Sequence, residues 1–162
     1  MFTSSTLYHL LQQEDDCFQR LFEHLDSMPA DMMVTELEDQ SFVSIRHHMV
    51  HLLKTGNSVL NMLGEESEPP RDPDDLFELP EMRTAWTAMV RRAGSWLHGK
   101  SESELDNFQE FLWPGGPEIR MPRGTLFIRM LFHMAHHKGQ IVQQCRLHGY
   151  PAPNTEIVWV AQ

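Results

Sequence analysis

Arg123-Gly-Thr-Leu126-Phe127-Ile-Arg-Met130-Leu131-Phe-His133-Met134-Ala-His136-His137-Lys-Gly-Gln140-Ile141-Val-Gln-Gln-Cys145-Arg-Leu147 is the stretch whose reading decides the fold. Its apolar residues Leu126, Phe127, Met130, Leu131, Met134 and Ile141 recur at spacings of three and four, which predicts one long amphipathic helix. Gly149 supplies its stop. On such a helix His133 and His137 stand one turn apart on the same face, and His136 turns away by roughly 100°. A helix this long must cover its apolar face with partners, and the rest of the chain supplies them.

Three more segments carry the same periodicity. The first runs from about Ser5 to Leu25, with Leu7, Leu10, Leu11, Phe18, Leu21, Phe22 and Leu25 on its inner face and Ser4 or Ser5 as its cap. The stretch Ser27 to Asp39, with Pro29, reads mostly as loop. The second helix runs from about Phe42 to Leu63, striped by Ile45, Met49, Leu52, Gly56, Val59 and Leu63, and Gly64 sits where a left-handed cap is expected. The acidic, proline-rich stretch Glu65 to Pro73 is an exposed connection, with a short helical turn expected within Asp72 to Leu79. The third helix runs from about Pro80 to Leu97, with Met82, Trp86, Met89, Val90, Ala93 and Leu97 inward. Ser101-Glu-Ser-Glu104 reads as a capping box. Two short extended pieces around Trp113-Pro-Gly-Gly-Pro117 precede the last helix. The tail should dock through Ile157, Val158 and Trp159. These elements predict an all-α, antiparallel four-helix bundle with a hairpin insertion before the last helix, a single domain over residues 1–162.

Composition narrows the function classes. The formal charge is −10, which repels phosphate backbones and argues against nucleic-acid binding. No apolar run approaches the roughly 18 residues that cross a bilayer, so no membrane partner is expected. The N-terminus shows no basic region followed by an apolar stretch, and Cys17 and Cys145 make no disulfide framework. Together these features suggest a reduced, cytoplasmic protein. Arg91-Arg92 and Glu14-Asp15-Asp16 read as solvated helix faces. Cys145 reads as a small core residue and Met49, Met130 and Met134 as core filling. The four tryptophans, Trp86, Trp96, Trp113 and Trp159, read as packing residues or cavity walls.

The ten histidines are uneven: His47, His48 and His51 cluster on the second helix, and His133, His136 and His137 on the fourth. Neutral imidazoles buried among apolar residues need partners for one donor and one acceptor each. A metal satisfies the acceptor nitrogen, so His133 and His137 become candidate ligands. Periodicity selects His48 as the third, since it borders the apolar stripe while His51 lies roughly 140° from its centre at 100° per residue.

Ser44-Ile-Arg-His-His-Met-Val-His51-Leu-Leu resembles the second-helix motif of the DinB-like family, in which a Ser-Ile-Arg start precedes the ligand histidine. His133-Met-Ala-His-His137-Lys-Gly-Gln-Ile141 resembles its fourth-helix motif, and His148-Gly-Tyr-Pro-Ala-Pro153 its ending. The first helix departs from the family's aromatic-small-Asn cluster, reading Glu14-Asp-Asp-Cys17-Phe18. Carried over by position, the resemblance implies His51, His133 and His137 as ligands, with His48 the alternative third.

Three imidazoles leave open coordination positions, unlike closed four-ligand structural zinc sites. The donor set suits zinc or nickel as the divalent cofactor. The resemblance implies a metal-dependent transferase that attacks an electrophile with a metal-bound thiolate from a low-molecular-weight thiol; a hydrolase using metal-bound water is its neighbour. No separate catalytic residue is identified. The alternatives are a non-catalytic metal-binding stress-response module and a bundle with incidental histidines. A homodimer is expected, since bundles of this size often pair through a helix face.

Overall fold

The computed structural model describes residues 3–38, 42–65, 72–112, 116–151 and 153–156. Four long helices, α1 (Ser4–Asp26), α2 (Ile45–Met62), α3 (Leu79–Leu97) and α5 (Arg123–Leu147), form the bundle. A short helix, α4 (Glu102–Asp106), and a hairpin of β1 (Phe108–Leu112) and β2 (Glu118–Pro122) precede α5. The hairpin is antiparallel, with Phe108 opposite Pro122 and Leu112 opposite Glu118. Residues 113–115 of the expected turn, and the tail residues Ile157, Val158 and Trp159, lie outside the described residues.

Local chemistry sets the helix ends. Ser44 Oγ accepts from the His47 backbone N–H at the start of α2, and the Ser101–Glu104 capping box forms as the sequence predicts. A second capping box, Glu78 with Glu81, starts α3. The cap of α1 is Thr3, not Ser4 or Ser5: its side chain accepts from the Thr6 N–H, and both serines fall inside the helix. Gly64 and Gly149 have φ of 83° and 85°, the left-handed conformation expected after α2 and α5. Single turns of 3₁₀ helix occupy Ala30–Met33 and Pro73–Asp75.

In the ring of helices, α1 and α2 each pack on both α3 and α5. The contacts fix the directions. Phe18 stacks on Trp86 at 3.8 Å while a Cβ on Gly94 would meet Tyr8, so α1 and α3 run antiparallel. On α2, Gly56 faces Met89, and Leu63 O accepts from Trp96 Nε1 at 3.0 Å, so α2 and α3 run parallel. The antiparallel expectation thus holds for α1/α3 and α2/α5, whereas α2 and α3 share a direction. The chain leaves α2 at Leu63 and returns beside its start, where Arg46 Nε donates to Leu76 O at 2.8 Å. This long crossover is one of the recognised bundle connections. The approach of α2 to α3 is close: a Cβ on Gly56 would lie 2.2 Å from Met89 Sδ.

Two charged groups expected on solvated faces are inside. Arg92 is buried and donates to Asn57 Oδ1 at 2.5 Å and Asn61 Oδ1 at 2.8 Å on α2. Glu14 is buried against α5, where Lys138 Nζ donates to its Oε2 at 2.9 Å. Asp15, beside it, accepts from Trp86 Nε1 at 2.7 Å. The apolar residues between the helices, including Leu7, Leu21, Leu53, Trp86, Phe127 and Ile141, form one continuous core.

Removing one partner of a buried pair strands the other charge. Lys138→Met should therefore lower stability by about 3–5 kcal/mol in urea denaturation at neutral pH. The double variant Glu14→Leu/Lys138→Met should recover most of that loss. A single variant as stable as the parent would contradict the buried pairing.

Candidate metal centre

The site forms where α2 and α5 run side by side. One α2 turn offers His48 and His51; one α5 turn offers His133 and His137. Antiparallel register sets His51 against His133, with their Nε2 atoms 3.0 Å apart, and His48 against His137, with their Nδ1 atoms 3.0 Å apart. His51, His133 and His137 each present a ring nitrogen within 4.8 Å of the other two, a geometry that could hold one divalent metal ion. His48 lies outside that group.

The four rings differ in environment. His48 and His137 are 3 % and 4 % exposed, while His51 and His133 are half-buried. Between His48 and His137 one Nδ1 carries the proton and the other accepts. If His137 donates, its Nε2 keeps a free lone pair for a metal and its ring is held in place. His136 is exposed, with its ring 5.2 Å from that of His137, centroid to centroid.

Phe42, just before α2, closes one side of the cluster. Its ring lies 4.8 Å from His48, 4.7 Å from His51 and 5.1 Å from His137, centroid to centroid. Gln144 on α5 clamps this segment, donating from Nε2 to Phe42 O at 2.6 Å. Neither residue stands out in the sequence. Phe42 reads as the first residue of the second helix, whereas Ser44 caps α2 and leaves Phe42 before it, and Gln144 is one polar residue among several.

The electrostatics favour neutral rings. Burial, reinforced by the neighbouring imidazoles, pushes His48 and His133 down to about 4 and His137 to about 3; burial lowers His51 as well. Unprotonated imidazole is the state that ligates metal. Burial pushes the Cys145 thiol up to about 11, which makes it a poor nucleophile and fits its reading as a core residue. Both cysteines are free and buried.

The sequence-level choice between His48 and His51 has a structural reason. A helix in a four-membered ring touches two neighbours, so its apolar stripe points between them. The flank facing α5 carries His51 and lies away from the stripe centre. Periodicity finds the stripe and misses that flank.

A four-helix bundle with three histidines gathered between its second and last long helices is the class of protein that fold and site define. The comparisons place it within that class. The model of the DinB family matches residues 1–162, and the chain belongs to that family. The crystal structure of a DinB-like protein from Bacillus cereus ATCC 10987 superposes with a TM-score of 0.66 at 18% identity, covering 90% of this chain and 94% of that one. No curated protein matches significantly.

Depressed histidine pKa values make the stability of the metal-free protein depend on pH. As pH falls below the ordinary 6.5, the unfolded chain binds protons that the folded rings refuse. Stability is therefore full above that value and declines as pH falls towards 4. Thermal melts of metal-free protein between pH 7 and 5.5, above the carboxylate range, should show a falling Tm. The variant His133→Ala/His137→Ala should flatten the fall; the same slope in both proteins would contradict the assignment.

Proposed function

We propose that His51, His133 and His137 bind a single zinc or nickel ion and that the chain is a metal-dependent thiol S-transferase. The convergence of three neutral imidazoles, with no carboxylate in the group, carries this reading. Three neutral ligands leave a dication's charge uncompensated and its remaining positions open, which favours an anionic sulfur donor. A bound dication of this kind lowers the pKa of a thiol or of water and presents the resulting anion as a nucleophile.

The chain's own residues supply position and exclusion. His48 holds His137 through the Nδ1 contact, and Phe42 screens one side from water. Among the described residues no carboxylate joins the three histidines, and Glu14, the buried carboxylate of α1, is paired through Oε2 with Lys138. A thiolate needs no further base once its proton has left, whereas attack by water gains from one. That difference favours sulfur transfer over hydrolysis. The substrate is then a small electrophile and the co-substrate a low-molecular-weight thiol.

Metal content of untagged protein tests the site. The parent should hold about one equivalent, and His51→Ala and His133→Ala should each lose most of it. His48→Ala should keep the stoichiometry but weaken affinity roughly 10–100-fold, the usual effect of removing a partner behind a ligand. Stoichiometric metal in both ligand variants would refute the assignment. A thiol-plus-electrophile panel tests the reaction, and metal-dependent ester or amide cleavage without thiol consumption would move the reading to a hydrolase. Metal binding without turnover on either panel would favour a non-catalytic binding module.

A further inference from the structure

A cleft of about 110 Å³ opens between α2 and α5, lined by Thr55, Val59, Leu126, Arg129, Met130 and His133. It lies next to the histidine cluster. Thr55 follows His51 by one helical turn on α2, and Arg129 precedes His133 by one turn on α5. The antiparallel register brings these two turns together, as it does His51 and His133. Phe42 stands against His48, His51 and His137, and the latter side is buried. The half-buried His133 is the ring that faces the cleft.

The lining is chemically uneven. Val59, Leu126 and Met130 give apolar walls. Arg129 is exposed and has no ion-pair or hydrogen-bond partner among the described residues, and the Thr55 hydroxyl makes no hydrogen bond there either. In a chain with 23 acidic residues against 13 basic ones, no carboxylate lines this cleft among the described residues. An acidic protein repels small anions at long range, so an anionic ligand needs a local cation to hold it. The guanidinium fork matches a carboxylate in two parallel hydrogen bonds, and a hydroxyl on the opposite helix can donate a third.

We infer that this cleft binds the carboxylate of the metal-coordinating substrate, with Arg129 and Thr55 as its specificity determinants. The inference deepens the proposed thiol reading and rests on it: the thiol carries its carboxylate within about one helical turn, roughly 5 Å, of the sulfur. Met130, between Arg129 and His133 in α5, gives a short hydrocarbon link an apolar surface, and Val59 and Leu126 close the far end of the cleft.

The test uses the full chain loaded with Co(II), whose thiolate complexes absorb in the near ultraviolet. Titrations compare 3-mercaptopropionate with 2-mercaptoethanol at one pH and low salt. The parent should bind the carboxylate-bearing thiol about tenfold more tightly, as a charge-assisted pair at a half-exposed site implies. Arg129→Gln should abolish that preference while leaving Co(II) affinity and 2-mercaptoethanol binding within about twofold. Thr55→Val, close to isosteric, should reduce the preference about threefold. Raising the ionic strength should weaken the preference in the parent only. Equal affinities in the parent, or a preference that survives Arg129→Gln, would overturn the carboxylate subsite and leave the metal site standing. Failure of the parent to take up Co(II) would overturn the metal reading itself, and Co(II) uptake with no response to either thiol would overturn the thiol chemistry; this inference falls with each.

Discussion

The antiparallel seam between α2 and α5 is the constraint on which the rest of this structure depends. Its contacts run in order along both helices. Phe42 is clamped by Gln144, His48 meets His137, His51 meets His133, Thr55 and Arg129 share a cleft, and Leu63 O accepts from Arg123. Shifting one helix by a turn would break every one of these pairs. It would also place two buried and two half-buried imidazoles opposite other residues, where their nitrogens would lose their partners. The seam therefore sets its register by polar pairing, while the apolar core supplies the force that closes it.

The other two long helices hold the seam from behind. The parallel packing of α3 on α2 rests on the Gly56–Met89 approach and on Arg92 reaching Asn57 and Asn61. Across the bundle, Lys138 ties the residue after His137 to Glu14 of α1. That pair lies one residue from a candidate ligand, so it fixes the rotation of α5 at the point where rotation would misdirect His137. Sites on helices locked from several sides keep their geometry better than sites on loops. The long crossover that makes α2 and α3 parallel leaves the antiparallel α2–α5 pair intact.

Much of this was legible in the sequence because local chemistry decides it. The ends of α5 follow from the apolar run and Gly149, the capping box at Ser101 from two side chains three residues apart, and the His133–His137 pair from helical spacing alone. What escaped depends on the neighbours of each face. Glu14 and Arg92 look solvated by composition, yet each has a partner on a helix far away in sequence: Lys138 for Glu14, Asn57 and Asn61 for Arg92. The shared direction of α2 and α3 is invisible to periodicity, which is the same for either direction. Phe42 acquires its role only because α5 arrives beneath it. The bundle and the pairing of His133 with His137 were readable, but grouping His51 rather than His48 with them followed from the family resemblance and not from periodicity, because two neighbouring helices divide the face of α2.

His48 defines the limit of the site. A fourth imidazole among the ligands would move the centre towards the closed, structural kind of coordination. His48 is instead spent on His137: the two Nδ1 atoms meet, and His48 lies outside the group of three. With His137 as the donor, one neutral ring takes the place of the outer hydrogen-bond partner that a carboxylate or backbone carbonyl more often provides. A neutral partner adds no negative charge to the ligand behind which it stands, so any dication held there would keep its full Lewis acidity. The same economy is seen in Glu14, whose charge is neutralised by Lys138 and withheld from the cluster. At 18% identity the Bacillus cereus structure establishes the shared fold alone. What bears on a metal centre is therefore this chain's own geometry, in which His48 meets His137 and Glu14 pairs with Lys138.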